Sequence, residues 1–225
     1  MTERRPVARI NRPLRPREEP RRQRHPRVGL LGGSFNPAHA GHRAISIEAL
    51  RRLRLDRVRW LVSPQNPLKP ARGMASFANR FASAKSVACH PRIVVSDIEQ
   101  RLGTRYSVEV IRRLQRSCRV RFIWLMGADI LLELPRWRAW QELVERLPIA
   151  VFDRQPYAYR ALRSRMAQRY RRERRAERTA PALVEREAPA WIYLHSRRRD
   201  ESSTGIRQQR RIATRPAGQK EEASF

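Results

Sequence analysis

The sequence predicts an α/β protein with a doubly wound, Rossmann-like parallel sheet of five to six strands and helices on both faces. Short apolar runs alternate along the chain with segments in which apolar residues recur every three to four positions. The first pattern is typical of buried strands and the second of amphipathic helices. Strands that alternate with helices imply right-handed crossovers, and such crossovers give a parallel sheet that is covered on both sides.

The apolar pattern also places the individual elements. The predicted strands are residues 27–32, 58–62, 93–95, 120–126, 149–152 and 191–194. Helical spacing predicts helices that start near residue 40, cover 77–88 and 107–117, and include 137–147. An arginine-rich stretch over 157–177 is predicted as one longer helix, and 179–189 as a linker. The hydroxyl-rich start of 202–212 predicts a last helix.

One domain is predicted, over residues 27–213. Residues 1–26 contain many arginines and prolines and hardly any apolar side chains, so they bury too little surface to offset the entropy of ordering. We expect them to form a disordered basic N-terminal extension. We expect the polar residues 214–225 to form a flexible tail.

The chain is strongly basic, with a formal net charge of +29. Such a charge is typical of proteins that bind polyanions. Only Lys69, Lys85 and Lys220 are lysines, and an arginine bias of this kind also arises from a GC-rich genome. We therefore expect no specific nucleic-acid partner. A basic nucleic-acid-binding module is the alternative outside the enzymes, and a steep loss of affinity with salt would identify it.

We expect a cytoplasmic protein without a membrane partner. No stretch approaches the roughly 20 apolar residues of a membrane-spanning helix, and the N-terminus lacks the apolar centre of a secretory signal. Cys89 and Cys118 have apolar neighbours and are too few for a disulfide framework, which predicts buried, reduced thiols. The oligomeric state cannot be read from the sequence.

The most informative stretch runs from Val28 to His42 and reads VGLLGGSFNPAHAGH. A short apolar run ends at Gly32-Gly33, where the missing Cβ atoms let the backbone approach a ligand closely. His39 and His42 follow where a helical pattern begins. Helix-start N–H groups and imidazole N–H groups both suit a phosphate, so the stretch predicts an anion site. Neither GxGxxG nor GxxxxGK[ST] is present, which disfavours a dinucleotide reductase and a Walker-type site.

Other polar groups are predicted to lie near this site. Ligands of a doubly wound sheet bind beyond the carboxyl ends of the strands, so the important loops are 32–39, 63–69 and 127–129. Asp129 suits a ribose hydroxyl, and Trp137 suits a flat ring, although a Trp on an apolar helical face is more often part of the core. Further candidates are the cations Lys69 and Arg80, and the second hydroxyl-rich anion site Ser203, Thr204 and Arg207.

The two anion sites resemble the paired signatures of one enzyme superfamily. GGSFNPAHAGH is similar to GG[ST]FDPxHxGH of the HxGH-motif nucleotidyltransferases, and residues 202–207 are similar to their ISSTxIR signature. Three further segments, at 64–69, 126–137 and 151–154, narrow the resemblance to the nicotinate mononucleotide adenylyltransferases. The similarity extends from about Val28 to Arg207.

The resemblance implies a direct adenylyl transfer in NAD biosynthesis. The phosphate of nicotinate mononucleotide would attack the α-phosphate of ATP, giving deamido-NAD and pyrophosphate. The implied catalytic residues are His39, His42 and Arg207. The implied substrate-binding residues are Gly33, Ser34, Phe35, Lys69, Gly127, Asp129, Trp137, Ser203 and Thr204. Mg²⁺ would be bound mainly through the ATP phosphates and water, with few protein ligands.

Two departures and two alternative substrates accompany the resemblance. Asn36 occupies the position of the family's aspartate, which keeps the shape and loses the charge of a metal ligand. Glu201 replaces the isoleucine of ISSTxIR. An adenylyltransferase that prefers nicotinamide mononucleotide, or a pantetheine-phosphate adenylyltransferase, would share the HxGH motif. The second of these families is shorter and generally lacks the segment that spans 127–137 here.

Overall fold

The computed structural model describes residues 24–65, 67–68, 72–117 and 119–195. Its strands are β1 (Arg27–Gly33), β2 (Arg57–Val62), β3 (Ile93–Ser96), β4 (Arg121–Gly127), β5 (Ile149–Phe152), β6 (Arg174–Arg175) and β7 (Trp191–Leu194). They form one sheet in the order β3-β2-β1-β4-β5-β7-β6. Every neighbouring pair is parallel, as predicted.

Helices cover both faces of this sheet, which confirms the predicted layers. The helices are α1 (Ala40–Arg52), α2 (Phe77–Ala88), α3 (Ile98–Arg101), α4 (Ser107–Ser117), α5 (Ala128–Glu133), α6 (Trp140–Arg146), α7 (Ala158–Leu162) and α8 (Arg165–Arg169). Two 3₁₀ helices add Leu134–Arg136 and Glu177–Glu185. Helices α1, α2 and the second 3₁₀ helix pack on one face, and α4 to α8 on the other.

The central strands are buried on both sides, which explains their continuous apolar runs. Leu30 of β1 belongs to one core, and the next residue, Leu31, belongs to the other. Trp124 and Leu125 of β4 divide in the same way. The alternation follows from the two-residue period of a strand.

The order of the strands places a crevice beside β1. Leu31 of β1 is in register with Trp60 of β2 on one side and with Leu125 of β4 on the other. The chain therefore runs outward through β2 and β3 before it returns to the other side of β1. The loops that follow β1 and β4 leave toward opposite faces, and a ligand-binding crevice forms at such a switch point.

The sheet has seven strands, so the predicted number of five to six is wrong. The additional strand is β6, a two-residue edge strand of exposed arginines that has no apolar pattern. The predicted helix over 157–177 is also wrong, because it is divided into α7 and α8 before β6. Ser164 begins α8 by accepting a hydrogen bond from the Ala167 backbone N–H, and Met166 and Tyr170 are buried as the apolar stripe predicted.

Three further expectations need correction. The predicted linker over 179–189 is largely the 3₁₀ helix Glu177–Glu185, which buries Leu183 and Val184 despite the proline within it. Cys89 is exposed, because it is the residue that ends α2. Trp137 precedes α6, which starts only at Trp140. Cys118 and the predicted helix over 202–212 lie outside the described residues.

None of the described helices is long and apolar enough to cross a membrane.

Candidate active site

The two histidines of the glycine-rich stretch form the start of α1. His39 is the N-cap residue, and its Nδ1 accepts a hydrogen bond from the Gly41 backbone N–H at 3.2 Å. The Nδ1 of His42 accepts from the backbone N–H of His39 at 3.3 Å, and the two ring centroids lie 3.9 Å apart. Because Nδ1 is the acceptor in both rings, the proton of each neutral imidazole belongs on Nε2. Both side chains can therefore act as Nε2–H donors.

An aromatic stack holds the ring of His42. Phe35 lies 4.7 Å from His42 and stacks on Trp60 at 5.0 Å between ring centroids. Trp60 Nε1 donates to Ser46 Oγ at 2.7 Å, and that hydroxyl donates to the His42 carbonyl at 2.8 Å. Trp60 and Ser46 were not predicted as supports of the histidines. Ser46 stands four residues after His42, which is about one helical turn, and this spacing could have predicted their contact.

The loop between β1 and α1 is strained and well anchored. Phe35 has φ +47°, in the left-handed region, which costs about 1–2 kcal/mol for a residue with a Cβ. Asn36 Nδ2 donates to the Gly73 carbonyl at 3.1 Å, and its Oδ1 accepts from the Ala75 backbone N–H at 3.3 Å. A carboxylate could not donate to Gly73. Asparagine at this position therefore connects two loops in a way that the family's aspartate could not.

A cavity of about 260 Å³ opens at the carboxyl edge of the sheet. Its lining comes from the end of β1 and the loops after β1 and β2, from α3, the loop after it and the start of α4, and from the segment between α5 and α6 together with one residue of each of these helices. The lining residues are Gly32, Gly33, Ser34, Ser63, Pro67, Leu68, Glu99, Arg105, Tyr106, Ser107, Val108, Ile130, Arg136, Trp137, Arg138 and Leu143. The loops after β1 and β2 therefore meet as predicted. The loop after β4 contributes through Ile130, one residue beyond the predicted range.

Three of the predicted substrate-binding residues line this cavity, namely Gly33, Ser34 and Trp137. Ser34 is 9% exposed, and its Oγ is buried with no hydrogen-bond partner among the residues that the structure describes. A buried hydroxyl without a partner costs about 1–3 kcal/mol. Ser34 lines the cavity, so a polar ligand atom that reaches this hydroxyl would supply the missing hydrogen bond.

Trp137 stands at the other wall of the cavity. Its ring meets Trp124 edge-on, with 6.2 Å between centroids and an interplanar angle of 88°. Nearby, the Arg138 guanidinium lies 4.5 Å above the ring of Tyr106. Tyr106 was not predicted as a site residue, because it is a lone aromatic before α4. This wall of the cavity is thus aromatic. The cavity is also electropositive, because its lining includes Arg105, Arg136 and Arg138.

Gly127 and Asp129 lie at the end of β4 and outside the cavity lining. Asp129 Oδ2 accepts from Arg154 Nη1 at 2.7 Å, whereas Oδ1 is buried and has no partner within the described ranges. A Cβ on Gly127 would lie 2.5 Å from that Oδ1. Glycine is therefore needed here to accommodate the aspartate. Gly32 likewise makes room for a side chain, because its Cβ would lie 2.9 Å from the Trp124 ring.

Glu99 is a buried carboxyl in the cavity lining that was not predicted from the sequence. It follows β3 in the short helix α3, is 2% exposed, and hydrogen-bonds the side chain of Ser63. Burial raises the pKa of Glu99 to about 7, because the charged form loses its hydration. A single glutamate in a four-residue helix gives no pattern from which its burial could be predicted.

Comparisons with known proteins agree with the residue-level resemblance. A profile of the cytidylyltransferase-like family matches residues 30–209. A "Probable nicotinate-nucleotide adenylyltransferase" of Bradyrhizobium sp. (strain ORS 278) is 51% identical over 182 residues, which are 80% of this chain and 95% of that protein. A protein of the same name from Gluconobacter oxydans (strain 621H) is 50% identical over 183 residues, or 81% and 94%. The chain belongs to the nicotinate-nucleotide adenylyltransferase family.

The fold is also similar to that of a solved adenylyltransferase structure. The Plasmodium falciparum nicotinic acid mononucleotide adenylyltransferase, solved as a complex with NaAD, superposes with a TM-score of 0.59 at 13% identity. The match covers 82% of this chain and 83% of that chain. Four predicted site residues of the present chain, namely Lys69, Ser203, Thr204 and Arg207, lie outside the described residues, and their roles stay predictions.

Proposed function

We propose that this protein transfers the adenylyl group of ATP to nicotinate mononucleotide, giving deamido-NAD and pyrophosphate. The observation that carries the proposal is the electropositive aromatic cavity at the switch point of the sheet, lined by Ser34, whose hydroxyl has no hydrogen-bond partner among the described residues. Two Nε2–H donors, His39 and His42, stand on the same loop. The family to which the chain belongs supports the choice of reaction.

In the proposed reaction, a phosphate oxygen of the mononucleotide attacks the α-phosphorus of ATP. The bond from that phosphorus to the oxygen bridging the α- and β-phosphates breaks, and pyrophosphate leaves with the electron pair. No covalent enzyme intermediate is needed, so catalysis consists of positioning and charge stabilisation. His39 and His42 donate to the phosphate oxygens and stabilise the charge that develops in the transition state.

The cavity suits the mononucleotide half of this reaction. Trp137 offers a flat apolar surface on which a pyridine ring can stack. Arg105, Arg136 and Arg138 supply positive charge for an acceptor that carries both a carboxylate and a phosphate. The Ser34 hydroxyl and the backbone of Gly33 and Phe35 complete the proposed acceptor contacts.

The ATP half of the site lies toward the end of β4 in this proposal. Gly127 and Asp129 contact the adenosine, and the buried Asp129 Oδ1 that lacks a partner in the described part of the chain suits a ribose hydroxyl. Ser203, Thr204 and Arg207 hold the β- and γ-phosphates, and Lys69 contacts a phosphate or the loop.

Mg²⁺ enters the proposal as a part of the ATP substrate. Mg²⁺ prefers oxygen ligands in octahedral geometry, whereas the described site offers mainly imidazole, hydroxyl and backbone N–H groups. No group of three or more His, Cys, Asp or Glu side chains among the described residues could hold a metal ion. These donors fit the phosphate anion better than the cation, so no step is assigned to a metal held by the protein.

The test is incubation with ATP, MgCl₂ and one acceptor at a time, followed by identification of the product by mass spectrometry. Nicotinate mononucleotide should give deamido-NAD and pyrophosphate in equal amounts. A higher kcat/KM with nicotinamide mononucleotide would reverse the proposed preference for the acid. Adenylation of phosphopantetheine alone, or salt-sensitive DNA binding without turnover, would refute the proposal.

A further inference from the structure

A buried arginine lies beneath the loops of the proposed site. Arg80 of α2 is only 2% exposed. Its guanidinium donates to four backbone carbonyls, one in the loop after β1 and three in the connection from β2 to α2. Nε donates to Ala75 at 3.0 Å, Nη1 to both Ser34 and Ser63 at 2.7 Å, and Nη2 to Pro64 at 2.7 Å.

These contacts distinguish Arg80 from an ordinary ion pair. None of the described carboxylates lies within ion-pair distance of its guanidinium, and its hydrogen-bond partners are carbonyl oxygens. Burial lowers the pKa of Arg80 because no counter-charge offsets the lost hydration. A rigid fork of five N–H donors suits this arrangement, since one guanidinium can bridge several fixed acceptors at once.

The position of the four carbonyls explains what this bridge can do. Ser34 belongs to the loop after β1, and Ser63 and Pro64 belong to the loop after β2. The Ser63 backbone N–H also donates to the Gly33 carbonyl at 3.0 Å, which extends the pairing of the two strands into the loops. Arg80 therefore sets the separation of the two loops at the mouth of the cavity.

The hydrogen bond to Ser34 also orients the next peptide group. The Ser34–Phe35 bond is not among the cis peptide bonds of the described chain. In a planar trans peptide the C=O and N–H bonds point in opposite directions. Because the Ser34 carbonyl points to Arg80, the Phe35 N–H points away from Arg80. Phe35 is also the residue in the left-handed region, so its peptide orientation needs a restraint.

We propose that Arg80 is a positioning residue for adenylyl transfer, which holds the loops after β1 and β2 so that the Phe35 N–H and the Ser34 hydroxyl face the anionic substrate. The inference rests on the proposed function of this site. Arg80 itself contacts no substrate; it acts through the carbonyls of Ser34, Ser63 and Pro64.

Arg80→Ala and Arg80→Lys test this role against the exposed control Arg112→Ala. Lysine retains the charge but presents a compact ammonium that cannot bridge four carbonyls in one plane. We expect kcat to fall about 10²-fold in both Arg80 variants, because misplaced donors lose transition-state stabilisation. The control variant should keep the parent kcat, since Arg112 is exposed and pairs with Glu142 at the surface.

Chemical rescue separates positioning from a general loss of structure. Guanidinium chloride, well below denaturing concentrations, should restore kcat of Arg80→Ala at least several-fold, because the free ion can occupy the vacated site. Urea has a similar shape without the charge and should not restore it. Hydrogen exchange followed by mass spectrometry should show faster exchange of peptides covering 33–37 and 63–65 in both Arg80 variants, and unchanged exchange in β4 and β5.

A failure of the Arg80 inference can be distinguished from a failure of the proposed function. If the parent protein forms no dinucleotide, the proposed function fails, and the hydrogen-exchange result alone decides whether Arg80 holds the loops. If the parent is active, a near-parent kcat in folded Arg80→Lys overturns the inference. If Arg80→Ala does not fold, Arg80→Lys alone decides. Equal rescue by urea, or loop exchange that equals the parent's, would also overturn it.

Discussion

Replacing Glu99 by glutamine should remove most of one pH-dependent contribution to stability. The substitution retains a group that can hydrogen-bond Ser63 but cannot ionise. In the folded protein the pKa of Glu99 is about 7, above the ordinary value of 4.5. The folded state therefore binds more protons than the unfolded chain between pH 4.5 and 7, and the free energy of unfolding falls as the pH rises through this range.

The magnitude follows from the two pKa values. A difference from 4.5 to about 7 corresponds to about 3 kcal/mol in total, of which roughly 2–3 kcal/mol is lost between pH 5 and pH 8. The free energy of unfolding of Glu99→Gln should therefore rise by that amount relative to that of the parent between pH 5 and pH 8. With an m-value of about 2 kcal/mol/M, the urea midpoint of Glu99→Gln minus that of the parent should rise by about 1 M between pH 5 and pH 8.

Urea unfolding at pH 5 and pH 8 measures this change, and Glu142→Gln is the matched control. Arg112 and Arg146 hold the pKa of Glu142 at about 2, so this carboxylate is ionised throughout the interval. Its replacement should change stability by a similar amount at both values of pH. If the parent and Glu99→Gln show parallel pH profiles, Glu99 is ionised in the folded protein and the reasoning from its burial is wrong.

Three further substitutions test the site. His42→Ala should lower kcat by ~10² or more while circular dichroism stays unchanged, because it removes a proposed transition-state donor; a near-parent kcat would refute that role. Trp137→Ala should raise the KM for the mononucleotide by about 10-fold, since stacking on an aromatic ring contributes 1–3 kcal/mol per base, and an unchanged KM would exclude stacking. Asn36→Asp should lower the urea midpoint by an amount equivalent to about 1 kcal/mol, because the donor to Gly73 is lost; equal or higher stability would contradict the observed contact.

Local patterns predicted the central part of the fold. Strands β1 to β5 and β7 begin and end within one residue of their predicted limits, because buried parallel strands are predominantly apolar. The pattern failed in 157–189. There Arg174–Arg175 pairs as an edge strand, and a proline-containing segment packs as a 3₁₀ helix. Both depend on contacts with distant residues of β7, which no local periodicity records.

In the candidate site, too, some residues could be predicted from local patterns and others could not. The glycine pair, His39 and His42 are recognisable because their chemistry is concentrated in a few consecutive residues. Glu99 and Tyr106 have no such signature, since each becomes part of the site only when its segment folds against the cavity. The exposed Cys89 illustrates the opposite error, because apolar neighbours in the sequence do not guarantee burial.

The parallel α/β architecture and the family could be recognised from the sequence, and residues 28–42 were predicted to bind an anion. Those properties follow from spacing along the chain, which is retained in any conformation. The folded structure was needed to show that Arg80 binds four carbonyls, that the Ser34 hydroxyl lacks a partner in the described chain, and that burial raises the pKa of Glu99 to about 7. Burial and hydrogen bonding depend on which distant segments surround a group, and folding alone brings those segments together.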